Sequence, residues 1–146
     1  MEKIKLQRAT LKDFNEVFLL EKSFRSKTYM SATTKKENLE YFKDSQIFLI
    51  KKDSITIGLT SFKKKLKDRA HVNGLIIKPR FRGQGFARQT MLLLLKKMSG
   101  SGYVYLEVHP HNSPAITLYL SLGFVIDSWV ENRFGDGEPR LIMVKK

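Results

Sequence analysis

Arg82-Gly83-Gln84-Gly85-Phe86-Ala87 lies between an apolar run, Val72 to Ile77, and a leucine-rich run, Met91 to Leu95. That order predicts a strand, a glycine-rich turn and a helix. The glycines let the backbone turn tightly and come close to a ligand. A helix opening at Gly85 would aim unpaired N–H groups and the positive end of its dipole into the same turn. Such a turn cradles anions and suits a pyrophosphate best. Arg80, Arg82 and Arg88 add positive charge around it.

Three nucleotide-binding readings compete for this turn. A Walker loop needs a Gly-Lys-Ser/Thr ending, and the chain has none. A dinucleotide fingerprint needs a small residue three places after the second glycine, where Arg88 stands. Glu107, near the end of the next apolar run, sits where a ribose-binding acid would sit, so that reading stays open. The third is the Arg-x-x-Gly-x-Ala turn that holds coenzyme A in N-acetyltransferases, which Arg82, Gly85 and Ala87 resemble without a gap.

Further matches follow downstream. Leu106-Glu107-Val108, Asn112, Ala115, Leu118-Tyr119 and Gly123-Phe124 resemble the second half of the signature of the GNAT N-acetyltransferase superfamily. Within it, the chain looks most like enzymes that acetylate protein N-terminal amines, including the alanine of ribosomal proteins. Gly135-Asp136-Gly137-Glu138, before the apolar run Leu141 to Val144, resembles the same subgroup. The resemblance covers residues 72 to 144, about half the chain.

It implies a single domain over residues 1–146 with an α/β (α+β) fold. The sheet would be mixed but mostly antiparallel, of about seven strands with one splayed parallel pair, flanked by about four helices. It also implies acetyl-CoA as cosubstrate, with no metal. The exposed backbone of Leu75, Ile76 and Ile77 would hold the pantetheine arm. Arg82, Gly83, Gln84, Gly85, Phe86, Ala87 and Arg88 would hold the pyrophosphate. Asn112 and Tyr119 would complete the cofactor site.

Composition bounds the alternatives. The chain has 146 residues, which suits one substantial core. Lysine and arginine number 27 against 14 acids, a net charge of +13. The short clusters Lys35-Lys36, Lys51-Lys52 and Lys63-Lys64-Lys65 have no interleaved aromatics, so they read as solvated surface. Nucleic acid is therefore not expected as substrate. Cysteine is absent, which excludes disulfides and thiolate metal sites. No apolar run approaches the roughly 20 residues of a membrane span. The expectation is a cytoplasmic monomer or homodimer.

Along the chain, Thr10 and Asp13 predict a capped first helix carrying Phe14, Val17, Phe18 and Phe24. Arg25 to Ala32 reads as a loop, and Thr33 or Thr34 caps a second helix. Gln46–Ile50 and Ile55–Phe62 read as a hairpin. Strands at Val72–Ile77 and Tyr103–Val108, joined through a helix ending near Met98, should be parallel neighbours. A helix from Asn112 to Leu122 ends at Gly123, and strands at Phe124–Trp129 and Leu141–Val144 close the sheet.

Acyl transfer to an amine needs a proton acceptor for the ammonium and a proton donor for the departing thiolate. Glu107 is the candidate acceptor, because an acid has little structural use in that apolar run. It also matches the glutamate of many N-terminal amine acetyltransferases. Tyr119, twelve residues on, matches the family's thiolate-protonating tyrosine. His109 and His111 could also titrate near neutrality. Beside Pro110 they read as solvent-exposed.

On the acceptor side the resemblance thins. Glu21 and Phe24 resemble the subgroup's helix-one ending, but Ser26-Lys27-Thr28-Tyr29-Met30 replaces its usual Pro-Trp. Tyr29 is the candidate aromatic wall. Phe134 stands where the subgroup often has paired tyrosines. Glu21, Tyr29, Glu107 and Phe134 are the expected acceptor-binding residues, with Glu131, Asp136 and Glu138 the remaining acids facing it. The acceptor is either a peptide or protein N-terminus or a small-molecule amine.

Overall fold

Two capping boxes set the first two helices. In the computed structural model, which describes residues 3–146, the Thr10 hydroxyl accepts from Lys12 N–H while Asp13 accepts from Thr10 N–H. A single 3-10 turn follows, then α1 (Phe14–Phe24). Thr34 and Glu37 make the second box, and α2 (Lys35–Asp44) begins there.

The strands are β1 (Lys5–Arg8), β2 (Gln46–Lys52), β3 (Ile55–Lys65), β4 (Arg69–Ile77), β5 (Tyr103–Val108), β6 (Val125–Val130) and β7 (Arg140–Lys145). Helices α3 (Phe86–Lys97) and α4 (Ser113–Ser121) flank β5 in the chain. One mixed sheet results, in the order β1-β2-β3-β4-β5-β7-β6. Among the described residues only β4 and β5 run parallel, as a βαβ crossover requires. Strands β3 and β4 run further than their apolar cores predict. Lys63 pairs with His71 and Lys65 with Arg69.

The sheet packs on both faces. Met91 and Leu94 of α3 and Met98 at its C-terminal cap, with Leu122 and Phe124, bury against Val72, Val104 and Leu106. Val17 and Leu20 of α1 cover Ile47, Leu49, Leu59 and Ile76 on the other face. Among the described residues no helix is long and apolar enough to cross a membrane.

One irregularity opens the sheet. Ser61 pairs with Gly74 but Phe62 pairs with Val72, so Asn73 is an extra residue in β4. A bulge of this kind bends its strand. Ladder pairing between β4 and β5 stops just before it, at His71 and Tyr105. Beyond that point the two strands diverge, and the predicted splay is present. Side chains fix the bulge: Tyr41 Oη donates to Ser61 Oγ (2.5 Å), Ser61 Oγ to Asn73 Oδ1 (2.7 Å), and Asn73 Nδ2 to Ser45 Oγ (2.8 Å).

Candidate active site

The glycine turn forms as expected from its backbone needs. Gly83 and Gly85 take φ of 74° and 83°, the left-handed region that glycine enters without penalty. Gly85 is the N-cap of α3 and has no side chain to cap with, so its neighbours' N–H groups stay open. Among the described residues, the N–H groups from Gly83 to Arg88 find no backbone acceptor. The first helical bond is Gln89 N–H to Gly85 C=O. A Cβ added at Gly83 would meet nothing within 4 Å. This is an open cradle of donors at a helix N-terminus, and it fits a pyrophosphate.

The arginines around it are partly committed to structure. Arg82 Nε donates to Ile77 C=O (3.0 Å), pinning the turn to the end of β4, and its guanidinium lies 5.3 Å from the Phe24 ring. Arg88 donates to Ser121 Oγ (2.8 Å), tying α3 to α4. Gln84 Nε2 donates to Arg80 C=O. A groove of about 1020 Å³ runs from this cradle along Leu75, Ile76 and Ile77 to Asn112 and Ala115, with Phe86, Ala87 and Arg88 in its wall. Asn112 also N-caps α4, its side chain accepting from Ala115 N–H.

A smaller pocket of about 200 Å³ lies on the other side of the splay, lined by Tyr29, His71, Asn73, Glu107, Tyr119 and Phe134 among others. Tyr29 and Leu75 border both spaces, and Leu75 N–H donates to the Tyr29 hydroxyl (3.1 Å). Burial first, then the charge of Glu21, pushes the Tyr29 phenol well above its ordinary value, so it stays protonated.

Glu107 does not stand alone. Its Oε1 lies 2.5 Å from His71 Nε2, and its Oε2 accepts from Arg133 (3.1 Å). Burial pushes the carboxyl up, but His71 and then Arg133 outweigh it and hold the group below the ordinary carboxylate range. His71 stacks on Tyr105 with ring centroids 4.5 Å apart, and its buried Nδ1 has no partner. A proton on Nδ1 would be an unpaired buried donor, which favours the tautomer whose Nε2–H donates to Glu107. Neither His71 nor Arg133 stood out in the sequence as a partner of Glu107.

Tyr119 is held by the end of its own helix. Phe124 N–H donates to Tyr119 C=O (3.0 Å) across Gly123, whose φ is 94°. This is the Schellman closure, and its usual apolar contact is the Tyr119–Phe124 ring pair at 5.8 Å. Among the described residues the Tyr119 hydroxyl has no protein hydrogen-bond partner. Burial pushes its phenol up to about 12, so the proton is retained through physiological pH.

Two expectations are corrected. His109 is buried, not at the surface. Its Nδ1 accepts from His111 N–H (3.0 Å) and its Nε2 lies 2.8 Å from Glu138 Oε1. Only His111 is exposed. The three late acids do not converge on an acceptor. Glu131 accepts from Trp129, Asp136 pairs with buried Arg140, and Glu138 pairs with His109.

Glu21 lines neither cavity. It lies under the loop, where its carboxylate accepts from Ala32 N–H and its Oε2 has no partner. Ser31 Oγ donates to its main-chain carbonyl, and Arg25 donates to Ser31 C=O, which fastens the loop that carries Tyr29. Burial pushes the Glu21 carboxyl from 4.5 to about 7, against the lowering effect of the Ala32 bond. A raised folded value means stability that is full below pH 4.5 and lost as pH rises through 7. Between pH 5 and 8 the parent should lose about 2 kcal/mol more than Glu21→Gln in urea titrations. Parallel pH curves for the two proteins would contradict this.

A strand pair opened around a bulge, with an anion cradle at one mouth and an acid and a phenol at the other, defines an acyl-transferase type of α/β fold. The chain belongs to the acetyltransferase (GNAT) family, whose model matches residues 11–124. It is 32% identical over 81 residues to an N-alpha-acetyltransferase of Sulfurisphaera tokodaii, covering 53% of this chain and 48% of that one. An uncharacterized Mycobacterium leprae protein is 43% identical over 53 residues, 36% of this chain and 14% of its own length. The matches thus span half or less of these curated relatives. The ribosomal-protein-S18-alanine N-acetyltransferase of Escherichia coli superposes with a TM-score of 0.80 at 20% identity, covering 97% of this chain and 92% of that one. Ard1 of Thermoplasma volcanium gives 0.82 at 20% identity, covering 97% and 96%. A SpeG spermidine N-acetyltransferase variant of Vibrio cholerae gives 0.81 at 20% identity, covering 99% and 94%. These structures share the fold.

Proposed function

We propose that the chain is a one-domain, cytoplasmic N-acetyltransferase that moves an acetyl group from acetyl-CoA directly to a primary amine, with a peptide or protein N-terminus as acceptor. The observation that carries this reading is the placement of Glu107 and Tyr119 in one small pocket that shares Thr28, Tyr29, Leu75, Asn112 and Ala115 with the cradle groove. Acetyl-CoA would supply the activated acetyl group, with its pyrophosphate on the 83–88 N–H groups. The relatives that act on protein N-termini support the acceptor class.

The protein's own groups divide the proton work. Glu107 is ionised at neutral pH and takes the ammonium proton, directly or through water. His71 and Arg133 orient its two oxygens. Tyr119 keeps its proton until a thiolate needs one, and gives it up there. A small single amine is the second reading, favoured by the pocket's size and by the commitment of the other acids to protein partners. Thiol release against a panel of peptides, polyamines and aminoglycosides decides between them. Activity on none of these would remove the proposal.

Glu107→Gln tests the proton acceptor. The rate should fall at neutral pH and recover in part at high pH, where more amine is already neutral. A raised acceptor KM with unchanged turnover would instead make Glu107 a binding group. A pH–rate profile and KM equal to the parent's would take it out of the site.

A further inference from the structure

The pocket-facing side of the sheet continues past Glu107 as a strip of cations and aromatic rings. Strand register builds it. Lys65 pairs with Arg69, and Arg69 with Tyr103; Lys63 pairs with His71, and His71 with Tyr105. Paired residues point to one face, and every second residue of β5 shares it, so both rows lie beside Glu107. The Arg69 guanidinium lies 4.6 Å from the Tyr103 ring centroid and 5.6 Å from that of Tyr105. Lys146 reaches Tyr103 at 6.0 Å. Lys65, Arg69 and Lys146 are exposed.

Acids do not balance this charge. Asp68, which accepts from Gly102 N–H (2.8 Å), is a single acid against Lys63, Lys65, Arg69 and Lys146, and Glu107 is already paired with His71 and Arg133. Asp44 acts on Lys63 more weakly than Lys65 does. Burial first, and then the charge of Lys65, push the Lys63 ammonium down against the opposing pull of Asp44 and Glu107.

We infer that this strip docks an acidic segment of a peptide acceptor, a few residues after the reacting amine. The inference rests on the proposed placement of that amine at Glu107. An extended chain advances about 3.3 Å per residue, so its third to fifth residues would cross the rows between Tyr105 and Tyr103. Carboxylates there would meet Lys63, Lys65 and Arg69. Single-stranded nucleic acid fits less well, because it needs free aromatic faces for its bases. Here the rings already lie against His71, Arg69 and Lys146.

The test is fluorescence anisotropy with two C-terminally labelled peptides that differ only in Glu or Gln at residues three to five. The Glu peptide should bind about tenfold more tightly, with the difference shrinking as salt rises. Lys63→Gln/Lys65→Gln/Arg69→Gln should abolish that difference. Lys12→Gln/Lys35→Gln/Lys36→Gln removes the same charge elsewhere and should keep it. Thermal unfolding checks that both variants fold. Equal binding of the two peptides would overturn the inference. So would equal effects of the two triple variants, or a labelled oligonucleotide that responds to the strip variant when the peptides do not. Thiol release is read separately. Peptides that bind with the Glu preference but are never acetylated would remove the proposed reaction and leave the docking strip standing.

Discussion

Gly85→Asp should abolish acetyl-CoA binding in calorimetry, a loss of at least about 10²-fold. The substitution puts a carboxylate among the N–H groups of residues 83 to 88, where phosphate charge is expected. Gly85 also has φ of 83°, so any side chain there costs about 1–2 kcal/mol of backbone strain. Gly85→Asn separates the two effects. It carries the same strain without the charge, and asparagine tolerates this conformation better than most residues. Asparagine should lose about tenfold at most. Unchanged affinity in the aspartate variant would end the pyrophosphate assignment, while equal losses in both would make the effect conformational.

Tyr119→Phe should lower turnover by about 10²-fold, the usual range for a lost general acid. Affinity for acetyl-CoA should hardly move, since Tyr119 borders the acceptor pocket and not the cradle groove. The fold should survive intact. The hydroxyl bonds to no described residue, and phenylalanine keeps the ring contact with Phe124 at the helix end. Turnover equal to the parent's would reduce Tyr119 to a packing residue.

The parts that were legible in the sequence are those governed by local rules. The glycine turn, the Thr10–Asp13 capping box, the threonine cap of the second helix, the Gly123 stop and the crossover all depend on residues a few places apart or on a single helix length. The partners of Glu107 do not. His71 lies 36 residues away and Arg133 lies 26 residues away, and only strand register and the β6–β7 turn bring them together. The bulge at Asn73 was equally silent, because it is an offset between two strands and has no motif of its own. Lys63 to Lys65 and Arg69 to His71 lay outside the predicted strands, and the lysines read as solvated surface. Each segment pairs with the other, which carries the ladder outward while the charged ends stay in water. His109 beside Pro110 gave no sign that a carboxylate from the β6–β7 turn would cover it.

The Tyr29–Leu75 contact also divides the gene's labour. The cradle groove comes mainly from one continuous stretch, β4 through α4, whose geometry is locked by glycine conformations and a crossover, with the end of α1 and the loop after it closing one side. The smaller pocket shares that stretch and the α1–α2 loop, and adds Phe134 of the β6–β7 turn and Arg140 of β7. The loop and the turn add no strand to the sheet apart from one isolated bridge, Ser26 to Tyr29. A descendant of this chain can therefore alter the β6–β7 turn beside the small pocket while inheriting the cradle groove unchanged. Selection at that turn and selection at the cradle fall on different codons.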